Sequence, residues 1–359
     1  MIVGLDDWKE EDAQWFADLN IRWTKLAVGE VDTGEIDEPN RDQMEAAAAA
    51  GMTVVCDLRP TSQLQRELPG MLGDKDPVRI TDALARLRDG VAVVVGELGH
   101  LCERWEWWGE FDCPAVGGVW PRKEAAYPGL IRAVHDGIRL AQPHGQVWNG
   151  GYGVNFQPQF ITHGLAVEAP DAFTHANWHH YNISDYWPRD RKGRFVYNAP
   201  LEERIADSAD KFRQMFEATR ATMTERGCAQ PFVSSEWGMP IVSDEAAKEP
   251  GAVQLWSAVF DEETKLDVLQ GHPMFYEFRD GVHGISDTQG AQFFEAWMQV
   301  FEEVGFEVLI YHRLHDTTLL GPDGDGTFWG LFCGLLYKDG SPKTAMIEAF
   351  RKWVERGAA

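Results

Sequence analysis

A repeating alternation constrains this chain more than any other feature. Short apolar, β-branched runs recur from one end to the other, with helical patterns between them. The runs are "IVGLDD" (2–7), "IRWTKLAV" (21–28), "MTVVCDL" (52–58), "VAVVVGELG" (91–99), "QVWNGGYG" (146–153), "FTHANWHHYN" (173–182), "PFVSSEWG" (231–238) and "FEVLIYHRL" (306–314). Each has the composition of a strand. Among the helical segments, "YPGLIRAVHDGIRLAQP" puts Tyr127, Leu130, Ile131, Val134 and Ile138 on one face. "SPKTAMIEAFRKWVERG" offers Ser341 as N-cap, Pro342 at the first helical position, a stripe of Met346, Phe350, Trp353 and Val354, and Gly357 as a stop. Eight strands alternating with helices predict an α/β fold of the (β/α)8 TIM-barrel type, and 359 residues accommodate it with an insertion. The rival, a doubly wound open sheet, calls for a Gly-rich phosphate fingerprint after the first strand, and "GLDDWKEED" is not one.

The stretch from about Met239 to Gln289 exceeds an ordinary connection. It holds a helical pattern around "AVQLWSAVFDEETKLDVL" and a strand-like "HPMFYEF". It predicts an insertion between strands seven and eight of a single catalytic domain over 1–359; taking "HPMFYEF" as a barrel strand would shift the count by one. The apolar fraction of 44% supplies a sizeable core. The net charge of -24 repels nucleic acid and anionic membranes, so neither is an expected partner. No apolar run is long enough to span a bilayer. The opening "MIVGLDDWKEED" lacks the pattern of a signal peptide, which implies a cytoplasmic chain or one whose signal was removed. The five cysteines form no CxxC pair, and Cys56 reads as a small core residue. The sequence sets no oligomeric state. The 15 tryptophans are mostly core, but indole faces also stack on sugar rings, and sites for neutral polar ligands are often lined by aromatics.

Catalytic groups of such a barrel belong at the carboxyl ends of its strands. Glu97 ends the fourth candidate strand, Glu236 the seventh, and His179, His180 and Tyr181 the sixth, while Asp316 follows the eighth. Two carboxylates across a barrel mouth are the minimum kit for glycoside hydrolysis, one attacking the anomeric carbon and one protonating the leaving oxygen.

With those residues in view, the chain resembles the retaining β-glycosidases of glycoside hydrolase clan A. "SSEWG" is similar to the clan's strand-seven nucleophile segment, "YPGLIRAVHDGIRLAQPHGQVWNGG" to its helix four and strand five, and "DAFTHANWHHY" to its strand six. "GLFCGLLYKDGSPKTAMIEAF" is similar to a closing segment of family thirty-nine and its neighbours. The resemblance implies a β-linked glycan or oligosaccharide as substrate, Glu236 as nucleophile and Glu97 as acid/base, with no metal and no cofactor. It implies that His179 and Tyr181 bond the nucleophile or the sugar beside it. Trp237, Trp178, Trp107, Trp108 and Trp329 become candidate stacking platforms. Arg59 would orient a carboxylate, and Asp6 and Lys25 would bind sugar hydroxyls. One departure stands out: the clan carries Asn before the acid/base, and here that position is Gly96. Glu103 and Glu106 are reserve candidates for the acid.

Two other functions fit the same residues. A metal-dependent sugar isomerase or hydrolase would use His175, His179 and nearby acids, although adjacent His179 and His180 point to opposite sides of a strand. A glycan-binding barrel without catalysis would suit the loss of Asn at Gly96. Asp323 and Asp325 in "GPDGDGTFWG" are spaced like part of a calcium loop, but the twelfth-position Glu is missing and the segment reads as a Gly-rich turn.

Overall fold

The computed structural model describes residues 1–65, 67, 77–109, 123–151, 169–180, 200–239, 241–242, 285–316, 333–337 and 339–358. In chain order these give β1 (Ile2–Leu5), α1 (Ala13–Asp18), β2 (Trp23–Val28), α2 (Glu38–Ala49), β3 (Thr53–Leu58), α3 (Pro77–Leu98), β4 (Arg104–Trp107), α4 (Lys123–Ala141) and β5 (Gln146–Asn149). There follow β6 (Ala176–His180), α5 (Leu201–Glu225), β7 (Phe232–Trp237), β8 (Ile241–Val242), β9 (Ile285–Ser286), α6 (Asp287–Val304), β10 (Phe306–Tyr311) and α7 (Thr344–Ala358). Strands and helices largely alternate, and every strand pairing among the described residues is parallel.

Two four-stranded sheets carry the fold, in the orders β1-β10-β7-β6 and β2-β3-β4-β5. They meet along two seams. At one, the Asp7 amide donates to the Lys25 carbonyl at 3.3 Å. At the other, Trp148 and His175 form an isolated parallel bridge, and the Asn149 and Asn177 side chains exchange bonds with each other's backbone at 2.8–3.1 Å. The short β8–β9 pair stands apart, flanking residues 243–284; the expected insertion, including "HPMFYEF", falls largely outside the described residues.

One expected strand is a helix. "VAVVVGELG" belongs to the end of α3, where Leu87, Val91, Val94, Val95 and Leu98 are buried at helical spacing and Val93 is half exposed. The fourth strand is "RWEW", six residues beyond α3. Two details of α7 also differ. The helix starts at Thr344 rather than after Ser341, with the Ala345 and Met346 amides donating to the Asp287 carboxylate at 3.0 and 2.9 Å. Gly357 lies inside its last turn rather than beyond it. Four cysteines, including Cys102, are free and buried; Cys113 lies outside the described residues.

The large apolar core fills the layer between strands and helices. A smaller cluster of Val55, Trp148, Val233, Val308 and Ile310, with Ile2 and Trp23 packed on it, occupies the other face of the strands. Strand side chains on one face repeat every second residue. One step from Trp23 therefore reaches Lys25, and one from Val55 reaches Asp57. Toward its carboxyl end this face turns polar, and both side chains are buried.

Candidate active site

The polar layer converges on His179. Its ring is 1% exposed; Nε2 lies 3.1 Å from Glu106 Oε1 and 2.9 Å from Ser235 Oγ, and Nδ1 lies 3.6 Å from Glu236 Oε2. Lys25 Nζ, from β2, bonds Glu236 Oε1. The Gly151 amide donates to Glu106 Oε1 at 3.0 Å. Two carboxylates, an ammonium and an imidazole from four strands thus share one pocket.

Local structure sets these positions. β7 carries one extra residue opposite β6: the register passes from Asn177–Val233 to His179–Glu236, two residues against three. Such a bulge re-aims a side chain, and here Ser235 and Glu236 both reach His179. The "NGG" after β5 is explained by proximity, since a Cβ on Gly151 would lie 1.9 Å from His179 Cδ2. Gly109 bounds the other edge, where a Cβ would lie 2.9 Å from His179 Cε1. Asp7, Glu30 and Trp108 hold positive φ of 62°, 61° and 49°, each within two residues of a strand's carboxyl end. Backbone strain of this kind gathers at functional sites.

Electrostatics keep both carboxylates charged. Burial alone would raise the Glu106 carboxyl, but the Lys25 charge and the His179 hydrogen bond outweigh it and hold it at about 2. Burial opposes ionisation of Glu236 too, yet the charges of His179, Lys25 and His312 keep it well below the usual carboxylate range. The Lys25 ammonium, desolvated but facing Glu236 and Glu106, is held above its ordinary value.

A second network borders the first. His312, after β10, places Nδ1 2.7 Å from Asp6 Oδ2, and Arg313 Nε donates to His312 Nε2 at 3.1 Å. Asp6, Glu236 and His312 bring one donor atom each within 4.8 Å of one another, a set that could hold a cation. Lys25 already serves Glu236, and His312 already serves Asp6, so these atoms satisfy one another. Asp57 accepts from Arg59 Nε at 2.7 Å and from the Gly109 amide at 3.3 Å.

Of the residues expected from sequence, Glu236, His179, Lys25 and Asp6 come together here. Arg59, half-exposed, holds a carboxylate, that of Asp57 rather than Glu236 or Glu106. Glu97 does not join them. It stands on the outer face of α3, exposed and bonded to Arg41, because the run that carries it is helical. The indoles are placed differently from expectation as well. Trp178 packs on Phe216, Phe232 and Phe306, and Trp237 on Phe294, Phe301 and Tyr311, both between sheet and helices. Trp107 and Trp108 are buried edge to face against each other. None of these four offers an exposed ring. Tyr181 and Trp329, with Asp323 and Asp325, lie outside the described residues. His175 precedes β6 and His179 nearly ends it, about 13 Å apart along a strand, which separates the two histidines of a shared metal site. Asp316, buried, bonds Lys343 at 2.8 Å ahead of α7. Asp57, Ser235 and His312 were not singled out in the sequence. Asp57 and Ser235 carried a signal, one two-residue step from Val55 and Val233 on the interior face.

No family model matches the chain, and no curated protein does. Solved structures do. A family 39 glycoside hydrolase from the gut symbiont Bacteroides cellulosilyticus WH2 aligns over 98% of this chain and 62% of its own, with TM-score 0.58 and 13% identity. An exo-beta-1,4-mannosidase from Opitutaceae bacterium strain TAV5 aligns over 100% of this chain and 60% of its own, with TM-score 0.58 and 14% identity. A glucosidase from Croceicoccus marinus aligns over 99% of this chain and 67% of its own, with TM-score 0.60 and 11% identity. The chain spans about three-fifths of the length of the first two. At such identities the likeness is one of fold: this chain is built on the architecture that these glycosidase structures carry.

Proposed function

We propose that the chain is a retaining glycoside hydrolase acting on β-linked glycans, its eight parallel strands closed into one (β/α)8 barrel with an insertion at about 239–289. The observation that carries this is Glu236: a carboxylate at the end of the seventh barrel strand, partly open to solvent and held ionised by Lys25 and His179. The neighbours' fold and their names as a glucosidase, a mannosidase and a β-glucuronidase support the substrate class.

Glu236 attacks the anomeric carbon, and a second carboxyl protonates the leaving oxygen; that group then deprotonates the water that releases the sugar. The acid must hold a proton in the resting enzyme. Glu106, ionised down to about 2, does not. We assign the role to Glu110, which follows Gly109 in the sequence and lies outside the described residues. It is the next residue in sequence after a glycine that abuts His179. A retaining mechanism asks the two carboxyls to stand roughly 5–5.5 Å apart. Gly109 repeats before Glu110 the departure that Gly96 makes before Glu97, and the His179 ring accounts for it, since it leaves no room for a side chain there.

The test is hydrolysis of a panel of aryl β-glycosides and β-glycans, with Glu236→Ala beside the wild type. Turnover by the wild type and a loss of roughly 10⁴-fold or more in the variant is expected. Equal turnover by both removes Glu236 from the mechanism, and tight glycan binding without turnover leaves a binding barrel.

A further inference from the structure

We propose that His179 is a positioning residue: a permanently charged imidazolium, pinned between Glu106 and Glu236, that orients the Glu236 carboxylate. The inference about charge rests on geometry; its bearing on turnover rests on the glycosidase reading.

Each ring nitrogen faces a carboxylate oxygen, Nε2 at 3.1 Å from Glu106 and Nδ1 at 3.6 Å from Glu236. An ionised carboxylate only accepts hydrogen bonds, and a neutral imidazole has one N–H. Only the doubly protonated ring turns an N–H toward both, a hydrogen bond to Glu106 and an ion-pair contact with Glu236. Ser235 Oγ, 2.9 Å from Nε2, itself accepts from Asn177 Nδ2 at 2.8 Å. Its own O–H is given to the Glu106 carboxylate, so toward Nε2 it presents a lone pair and adds a second acceptor there.

The ring is held in place. The two glycines close on its edges, Gly151 beside Cδ2 and Gly109 beside Cε1. The charge count agrees. Among the described residues, Lys25 from β2 and His179 from β6 set two positive groups against the two buried carboxylates, Glu106 from β4 and Glu236 from β7. Two further pairs stand nearby among the described residues, Asp57 with Arg59 after β3 and Asp6 with His312 after β10. Glu106 thus serves as a fixed counter-ion. When Glu236 is neutralised in the covalent intermediate, Glu106 still balances the imidazolium, so His179 stays in place for the second step.

The test is ¹⁵N NMR of protein labelled at histidine, titrated from about pH 5 to 9, with the His179 signal identified by its loss in His179→Gln. Both ring nitrogens should be protonated at about pH 7.5, against an ordinary midpoint near 6.5. Glu106→Gln should lower the midpoint by about one unit or more, and the alkaline limb of kcat/KM should move with it; Glu106→Asp should restore both. A singly protonated wild-type ring at neutral pH overturns the proposal, as does a midpoint that Glu106→Gln leaves in place. Where Glu106→Gln does not fold, the wild-type titration decides alone. A charged ring in a protein without glycosidase activity sinks the functional reading and spares this one.

Discussion

Glu106 and Glu236 are chemically identical side chains held on two edges of one imidazole, and their surroundings divide their work. Glu106 is wholly enclosed, while Glu236 keeps a side-chain exposure of 14% through which a sugar can approach. Glu97 and the proposed acid Glu110 can be told apart by experiment. Glu97 sits in a half-exposed ion pair with Arg41, and such pairs contribute about 0–1 kcal/mol. Glu97→Ala should therefore retain full turnover and near-native stability, whereas Glu110→Ala should lose about 10²–10⁴-fold in rate, least on aryl glycosides whose leaving groups need no proton. Steady-state kinetics on a leaving-group series checks both, and an unimpaired Glu110→Ala would return the acid role to another carboxylate. Glu236 was legible in the sequence because a strand ending in a carboxylate demands explanation. Glu106 on strand four was legible only as a reserve candidate, because the preceding valine-rich run reads as that strand.

At the scale of elements, α3 shows where sequence patterns mislead. Its last turns hold Val91, Val93, Val94 and Val95, a β-branched run with strand propensity, but the buried positions recur every three to four residues and packing on α4 decides. The seven other strands follow their runs, because a strand buried on both faces reads as a continuous apolar stretch. The tryptophans were harder. Residue type says that an indole will be buried or stacked, but only the strand's facing tells which. Trp178 lies among three phenylalanines behind the sheet. Trp178→Ala should cost about 3–5 kcal/mol of stability and leave KM nearly unchanged. Denaturant unfolding beside steady-state kinetics checks it, and a large rise in KM without loss of stability would make Trp178 a sugar platform after all.

Across the whole molecule, stability should depend on pH with two opposed arms. Glu106 is held at about 2 and Glu236 well below the usual carboxylate range, both below the value near 4.3 of an unfolded Glu. Groups depressed in the folded state stabilise it above the unfolded value and lose that contribution as pH falls, here from about 4.5 toward 2. Asp316 has the opposite sign. Burial pushes it to about 6 against the pull of Lys343, so its contribution is full below about 4 and fades as pH rises through 6. Urea midpoints across this range should fall on the acid side, less steeply in Glu106→Gln, and Asp316→Asn should flatten the segment between about 4 and 6. Equal acid slopes in wild type and Glu106→Gln would sink this account.

The seams between the two sheets carry a further consequence. Lys25 and Glu106 belong to the β2-β3-β4-β5 sheet, and Glu236 and His179 to the other. The Lys25–Glu236 and His179–Glu106 pairs therefore bridge the same divide that Asn149 and Asn177 span. Each half on its own holds an incomplete set of charges. During refolding, catalytic competence should emerge together with the docking of the halves and never ahead of it, so that the return of turnover acts as a clock for the last long-range assembly step of the chain.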